Sequence, residues 1–253
     1  MRIYQTESAV YLAGGLIYFI WIMKSNHISS LAYMWSGFFG LFSIISLERF
    51  LRLRIHMHKL NLPEKIATVS PLLGERYLLG FLPGASLHLL LFSPDGVLAG
   101  MIKDKKESML LWILPLPLLL FLPKKYVLLN NQGETIAEFR QKYGINGEIE
   151  IMNATGDLVG RYKQGSKGKS QVTNSFGIRQ YEGTIKHSSA FEIKKIYTNA
   201  HIADYDCGWM PLTYSQTFLN PNTPVLTFKS YTTEEEKLIA YCFCIDYLQL
   251  QDH

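Results

Sequence analysis

Charge is the first thing this sequence is short of. Only 18% of its 253 residues are Asp, Glu, Lys or Arg, against about 25% in an ordinary soluble domain. The net charge of +4 is too small for the electrostatic footprint of a nucleic-acid binder, and no helix-turn-helix, zinc-finger or RNA-recognition signature is present. Cysteine is scarce too. Cys207, Cys242 and Cys244 are an odd three, clustered late, and two of them stand in one apolar run. That argues against a disulfide framework and for a reducing compartment around the main domain. Also missing are a phosphate-binding glycine loop, a dinucleotide glycine motif, a nucleophile elbow and a paired-histidine metalloprotease helix. His56 and His58 have no nearby Cys or acid to complete a metal site. Residues 201–211, HIADYDCGWMP, hold His201, Asp204, Asp206 and Cys207, but a polar turn between strands explains them more simply than a metal centre. No catalytic residue, metal or cofactor is therefore expected.

Hydrocarbon is abundant by contrast, and it comes in blocks. Residues 8–23 and 25–47 carry no charge, and Lys24 separates them. A spanning helix needs roughly 17–25 mostly apolar residues. The second run reaches that length outright, and the first does so if it begins near Gln5. Tyr11, Tyr18, Trp21, Tyr33 and Trp35 fall toward interface levels. Residues 1–50 are expected to form a transmembrane helical hairpin, with a buried soluble hairpin as the rival. Residues 51–65 form a basic juxtamembrane linker. Arg49, Arg52, Arg54 and Lys59 lie just after the second run, opposed by Glu48 alone. Positive flanks stay on the cytoplasmic side, so residues 66–253 should be a cytoplasmic domain of a two-helix, multi-pass cell-membrane protein. The same cations would sit against anionic headgroups.

From residue 66 the pattern becomes short apolar runs split by turns. Asp95-Gly96, Gln132-Gly133 and Thr155-Gly156 each stand between two such runs, which is the hairpin signal. The units share a form and read as an internal repeat. A further hairpin is expected around Gly183, and residues 164–175, QGSKGKSQVTNS, read as a mobile basic loop. The closing stretch starts with a capping box, Thr232 to Glu235, and then runs uncharged from Leu238 to Ile245. A helix apolar all round is a buried one, and this one is far too short to span a bilayer.

One block resists both readings. Residues 110–125 read LLWILPLPLLLFLPKK. Pro115 and Pro117 argue against a spanning helix, at about 3 kcal/mol each, and proline argues equally against a central strand. An extended connection is expected, with Trp112 and Phe121 facing the membrane and Lys124 and Lys125 at headgroup level, or else an edge strand packed in the core.

Repeated hairpins at PDGVLAG, NQGETIAE and TGDLVG, the NPNTPVLTF approach and the helix EEEKLIAYCFCIDYL together resemble the tubby C-terminal-like superfamily, over residues 66–250. That group takes in tubby-like domains, phospholipid scramblases and the LURP-one-related proteins. The resemblance implies an α+β fold, an antiparallel barrel of hairpins around a buried C-terminal helix. The competing fold is a β-sandwich with the helix outside. It also implies a non-catalytic module that binds anionic lipid headgroups or a membrane protein partner, with Arg161, Lys163, Lys167 and Lys169 as the basic residues in a comparable part. A scramblase-like lipid mover and an enzyme with an unseen site are the alternatives. The bilayer is the expected partner, and nucleic acid is not.

Overall fold

The computed structural model describes residues 70–82, 87–105, 122–142, 147–165, 168–187, 189–207 and 223–251, with nine separate helical positions between Gly14 and Glu48. The chain divides into two compact units. One holds residues 63–82, 86–106 and 117–253; the other holds 1–62, 83–85 and 107–116.

Alternation marks several of the strands. In β5 (Thr135–Gln141), Ala137, Phe139 and Gln141 are buried, while Glu138 and Arg140 point away. In β10 (Ala190–Lys195), Phe191 and Ile193 are the buried pair. The other strands are β1 (Arg76–Leu82), β2 (His88–Phe92), β3 (Leu98–Asp104), β4 (Lys124–Asn130), β6 (Ile149–Asn153), β7 (Leu158–Gln164), β8 (Lys169–Thr173), β9 (Arg179–His187), β11 (His201–Asp206) and β12 (Val225–Phe228). All pairings follow chain order and are antiparallel, and β12 closes on β1 through Tyr77 opposite Leu226. Closure removes the exposed edges that an open sheet would present.

The turns at one end are built alike. Asn130 Oδ1 accepts from the backbone N–H groups of Gln132 and Glu134, at 3.0 and 2.8 Å. Asn174 Oδ1 does the same for Phe176 and Ile178, and Asn153 Oδ1 does so for Asp157. The glycine three residues after each asparagine takes the left-handed conformation, with φ of 84° at Gly133, 89° at Gly156 and 80° at Gly177. Ser93 and Gly96 make a fourth copy, with Ser93 Oγ accepting from Val97 N. At the opposite end, each of the six connections includes residues outside those described.

The helix α1 (Glu234–Gln251) runs through the barrel. Leu238 to Ile245, Tyr247 and Leu248 are all buried, and they share one core with Tyr77, Leu89, Phe139, Ile151, Phe191 and Tyr205. A helix with hydrocarbon on every side has this as its favourable place. Its first turn is fixed by polar contacts. Thr233 N donates to Glu236 Oε2 at 3.1 Å, and Glu236 N donates back to Thr233 Oγ1. The capping box is thus one residue later than the sequence suggested, because Thr232 donates its hydroxyl to Ile202 O instead. Lys237, buried beside Phe228, donates to the carbonyls of Leu72 and Gly74.

The expected fold needs correction at its N-terminus. No helix among the described residues is long and apolar enough to cross a membrane, so the transmembrane hairpin is not part of the described structure and a two-helix multi-pass placement has no support from it. The runs 5–23 and 28–47 fall almost wholly outside the described residues, as do Arg49, Arg52, Arg54, Lys59, Trp112, Phe121 and Lys167. Two local expectations change as well. Gly183 is not a turn but the middle of β9, opposite Ser170 and Ile193. The supposed loop 164–175 contains β8, and the hairpin glycine of that region is Gly177.

Candidate anion-binding face

The outward positions of β3 to β7 line up in rows across the sheet. Lys105 N donates to Lys125 O, Lys125 pairs with Arg140, Arg140 with Glu150, and Glu150 with Arg161. Directly opposed residues on one sheet face bring their side chains together. At the centre stands Glu138, which accepts from Lys105 at 2.6 Å, Lys125 at 2.7 Å and Arg140 at 3.1 Å. Next to it, Glu150 and Glu148 share Lys142 and Arg161, at 3.1 to 3.8 Å. Lys163 is exposed opposite neutral Gln171, and Lys103 is half-buried opposite Val127.

The outward charge is therefore lopsided. Within β3–β7 the outward cations are Lys103, Lys125, Arg140, Arg161 and Lys163, and the outward carboxylates are Glu138 and Glu150; the flanking positions add Lys105 and Lys142 against Glu134, Glu148 and Asp157. On β8–β11, Lys169, Arg179, Lys186, Lys194 and Lys195 face Glu182, Glu192, Asp204 and Asp206, which is near balance. One half of the barrel wall carries the excess. Three cations converging on one carboxylate leave donors and charge for a second anion, and an arginine among them can hold two oxygens at once.

The residues proposed from sequence separate in this frame. Lys125 and Arg161 belong to the cationic face, with Lys163 beside it. Lys169 lies round the wall and pairs with Glu182 at 3.0 Å. Lys124 shares the inward register of Gln141; burial lowers its pKa, with Asp104 opposing that shift. Lys105, Arg140 and Lys142 were missed. Arg140 stands in β5, and Lys105 and Lys142 just past the ends of β3 and β5; only the pairing register collects them.

The HIADYDC segment is strand β11, and it does bring a histidine to two acids. Ligand atoms of Glu192, His201 and Asp204 lie within 4.8 Å of one another. Lysines already occupy the carboxylates, though. Lys186 and Lys194 reach Glu192 at 2.7 and 2.8 Å, and Lys229 reaches Asp204 at 3.1 Å. That donor set suits an ion-pair network better than a metal ion, which would have to compete with three ammonium groups.

Hydrogen bonds from Lys105 and then Lys125 hold the Glu138 carboxyl down to about 2, and those from Lys186 and then Lys194 do the same for Glu192. The unfolded chain protonates these acids near pH 4.3. The native state binds fewer protons between those values, so the stability they contribute is present above about pH 4.3 and is lost as the pH falls toward 2. Melting temperatures measured from pH 5 to pH 2 should fall over this window, and less steeply for Glu138→Gln. Equal slopes in the two proteins would show that Glu138 is not held down.

Fold and face together define a twelve-stranded antiparallel barrel closed round its own C-terminal helix, cationic on one side. No protein-family model matches the sequence, and neither does any curated protein sequence. Among solved structures, a protein from Arabidopsis thaliana known by X-ray crystallography aligns with a TM-score of 0.44 at 12% identity, over 73% of this chain and 93% of that one. A likeness that loose is not one to argue from.

Proposed function

We propose that the chain is a non-catalytic, tubby-like module that binds anionic lipid headgroups through the outer face of β3–β7. The observation that carries the reading is the charge asymmetry of the wall, five outward cations against two outward carboxylates within β3–β7 and near balance within β8–β11. The barrel wrapped on its C-terminal helix supports the tubby-like kinship. Phosphate oxygens would replace or join Glu138 among Lys105, Lys125 and Arg140. Each cation brought to an anionic surface is worth about 1 kcal/mol, so the three together are worth roughly a hundredfold in affinity at low salt.

Flotation of the full chain with phosphatidylcholine vesicles, with and without phosphatidylserine, tests this. The anionic vesicles should bind more tightly, and the difference should shrink in high salt. Replacing Lys105, Lys125 and Arg140 together by glutamine should remove the difference. Glu138→Gln should increase it, because one negative charge leaves the centre of the face. Glu192→Gln, on the balanced half, should change little. A preference for anionic vesicles that survives the triple replacement would overturn the reading.

A further inference from the structure

The end of the barrel where β7 stops and α1 finishes holds a cavity of about 30 Å3. That is room for about two water-sized atoms. Its polar floor is made by Asp246, Tyr162 and Ser170. The Tyr162 hydroxyl lies against Asp246 Oδ2 and 2.8 Å from Ser170 Oγ. With a single proton to give, it donates to the carboxylate and accepts from the serine. Asp246 is only 6% exposed. Burial raises its pKa, and the bond from Tyr162 opposes that rise.

Two features make the cavity unusual in this molecule. First, no lysine or arginine among the described residues lines it. Of the other buried carboxylates, Glu236 has Lys195 at 2.6 Å and Asp104 acts electrostatically on Lys124. A buried carboxylate without a cation is an expensive arrangement. Second, the Gln164 side-chain carbonyl lines the same space, is buried and has no hydrogen-bond partner. Two acceptors therefore stand at a space lined by no cation among the described residues. Aromatic rings make part of the remaining wall, beside Thr184 and Ile185. Phe191 lies 5.2 Å from Tyr247 and 6.4 Å from Phe243, ring centre to ring centre.

We infer that this cavity is a site for a small primary ammonium group, such as methylammonium or the tip of a lysine side chain. Methylammonium has two heavy atoms, which matches the volume. Its N–H groups would satisfy the Asp246 carboxylate and the Gln164 carbonyl, and its charge would lie among aromatic rings, whose faces attract cations. A water molecule could bond Gln164 but would leave the carboxylate without a counter-charge. A calcium ion needs six to eight oxygen ligands, more than this lining offers. Gly183 keeps the space shaped as it is, since a Cβ there would fall 2.1 Å from the Phe243 ring.

The test is equilibrium dialysis of the full chain against labelled methylammonium, at constant ionic strength set with sodium chloride. One saturable site per chain is expected. Asp246→Asn keeps the shape and an acceptor for Tyr162 but removes the charge, and it should weaken binding at least tenfold. Gln164→Leu should weaken it less. Tetramethylammonium, too large for the space, should not compete. An acetylated, amidated lysine that competes as well as methylammonium would identify a protein lysine as the source; competition by free amines alone would identify a metabolite. Undetectable binding of methylammonium, or equal binding by Asp246→Asn, overturns the inference. Should Asp246→Asn fail to fold, the wild-type pH profile decides: binding must fall as acid protonates Asp246, and a flat profile overturns the inference equally.

Discussion

Replacing Phe243 by alanine is expected to cost about 3–5 kcal/mol, enough to unfold a marginal domain. Phe243 lies inside the barrel at 4% exposure, with its ring edge-on to Tyr162 at 4.8 Å and tilted toward Phe191 at 6.4 Å. Strands enclose α1, so no surface element can move in to fill the hole. The loss should be read from the denaturant midpoint with an unchanged slope. A change under about 0.5 kcal/mol would mean that the helix packs against the outside of the sheet, where large-to-small changes are mild.

Gly183→Ala should hurt by the opposite mechanism. The added methyl would sit 2.1 Å from one Phe243 ring carbon and 2.6 Å from the next. Gly183 is held from both sides, since β9 pairs there with Ser170 of β8 and with Ile193 of β10. The ring must therefore move, and it is hemmed in by Tyr162 and Phe191. Overpacking of this kind costs about 1–3 kcal/mol. The two substitutions should not add. In Phe243→Ala the space that the methyl needs is empty, so the double variant should be more stable than the sum of the single losses by over 0.5 kcal/mol, the coupling expected of residues in contact. Additive losses would show that Gly183 is required for some other reason.

The same glycine shows where the sequence could and could not be read. Gly96, Gly133 and Gly156 follow apolar runs and precede others, and each is a hairpin turn in the left-handed conformation. Gly183 has the same local surroundings but serves a contact with a residue sixty positions away, which no neighbouring residue announces. Gly177 was passed over because β8 is short and polar. Its companion Asn174 was the signal, since asparagine three before glycine also marks the turns at Asn130 and Asn153. The helix was legible because an unbroken apolar stretch admits few positions other than a core. The cationic face was only half legible. Lys125 and Arg161 could be picked out singly, but the convergence of Lys105, Lys125 and Arg140 on Glu138 depends on register, and register is set by turn lengths and pairings across the whole sheet.

The position of α1 after the last strand has a consequence for biosynthesis. All twelve strands leave the ribosome before the element they must wrap. Until α1 emerges, a nascent barrel would be a sheet with its apolar face uncovered, and Tyr77 could meet Leu226 only around an empty centre. Such a chain must stay open, or in the care of a chaperone, and complete its fold once α1 has emerged. A stop codon between residues 229 and 233 would leave every strand but not the helix they wrap, and the barrel could not reach its native form.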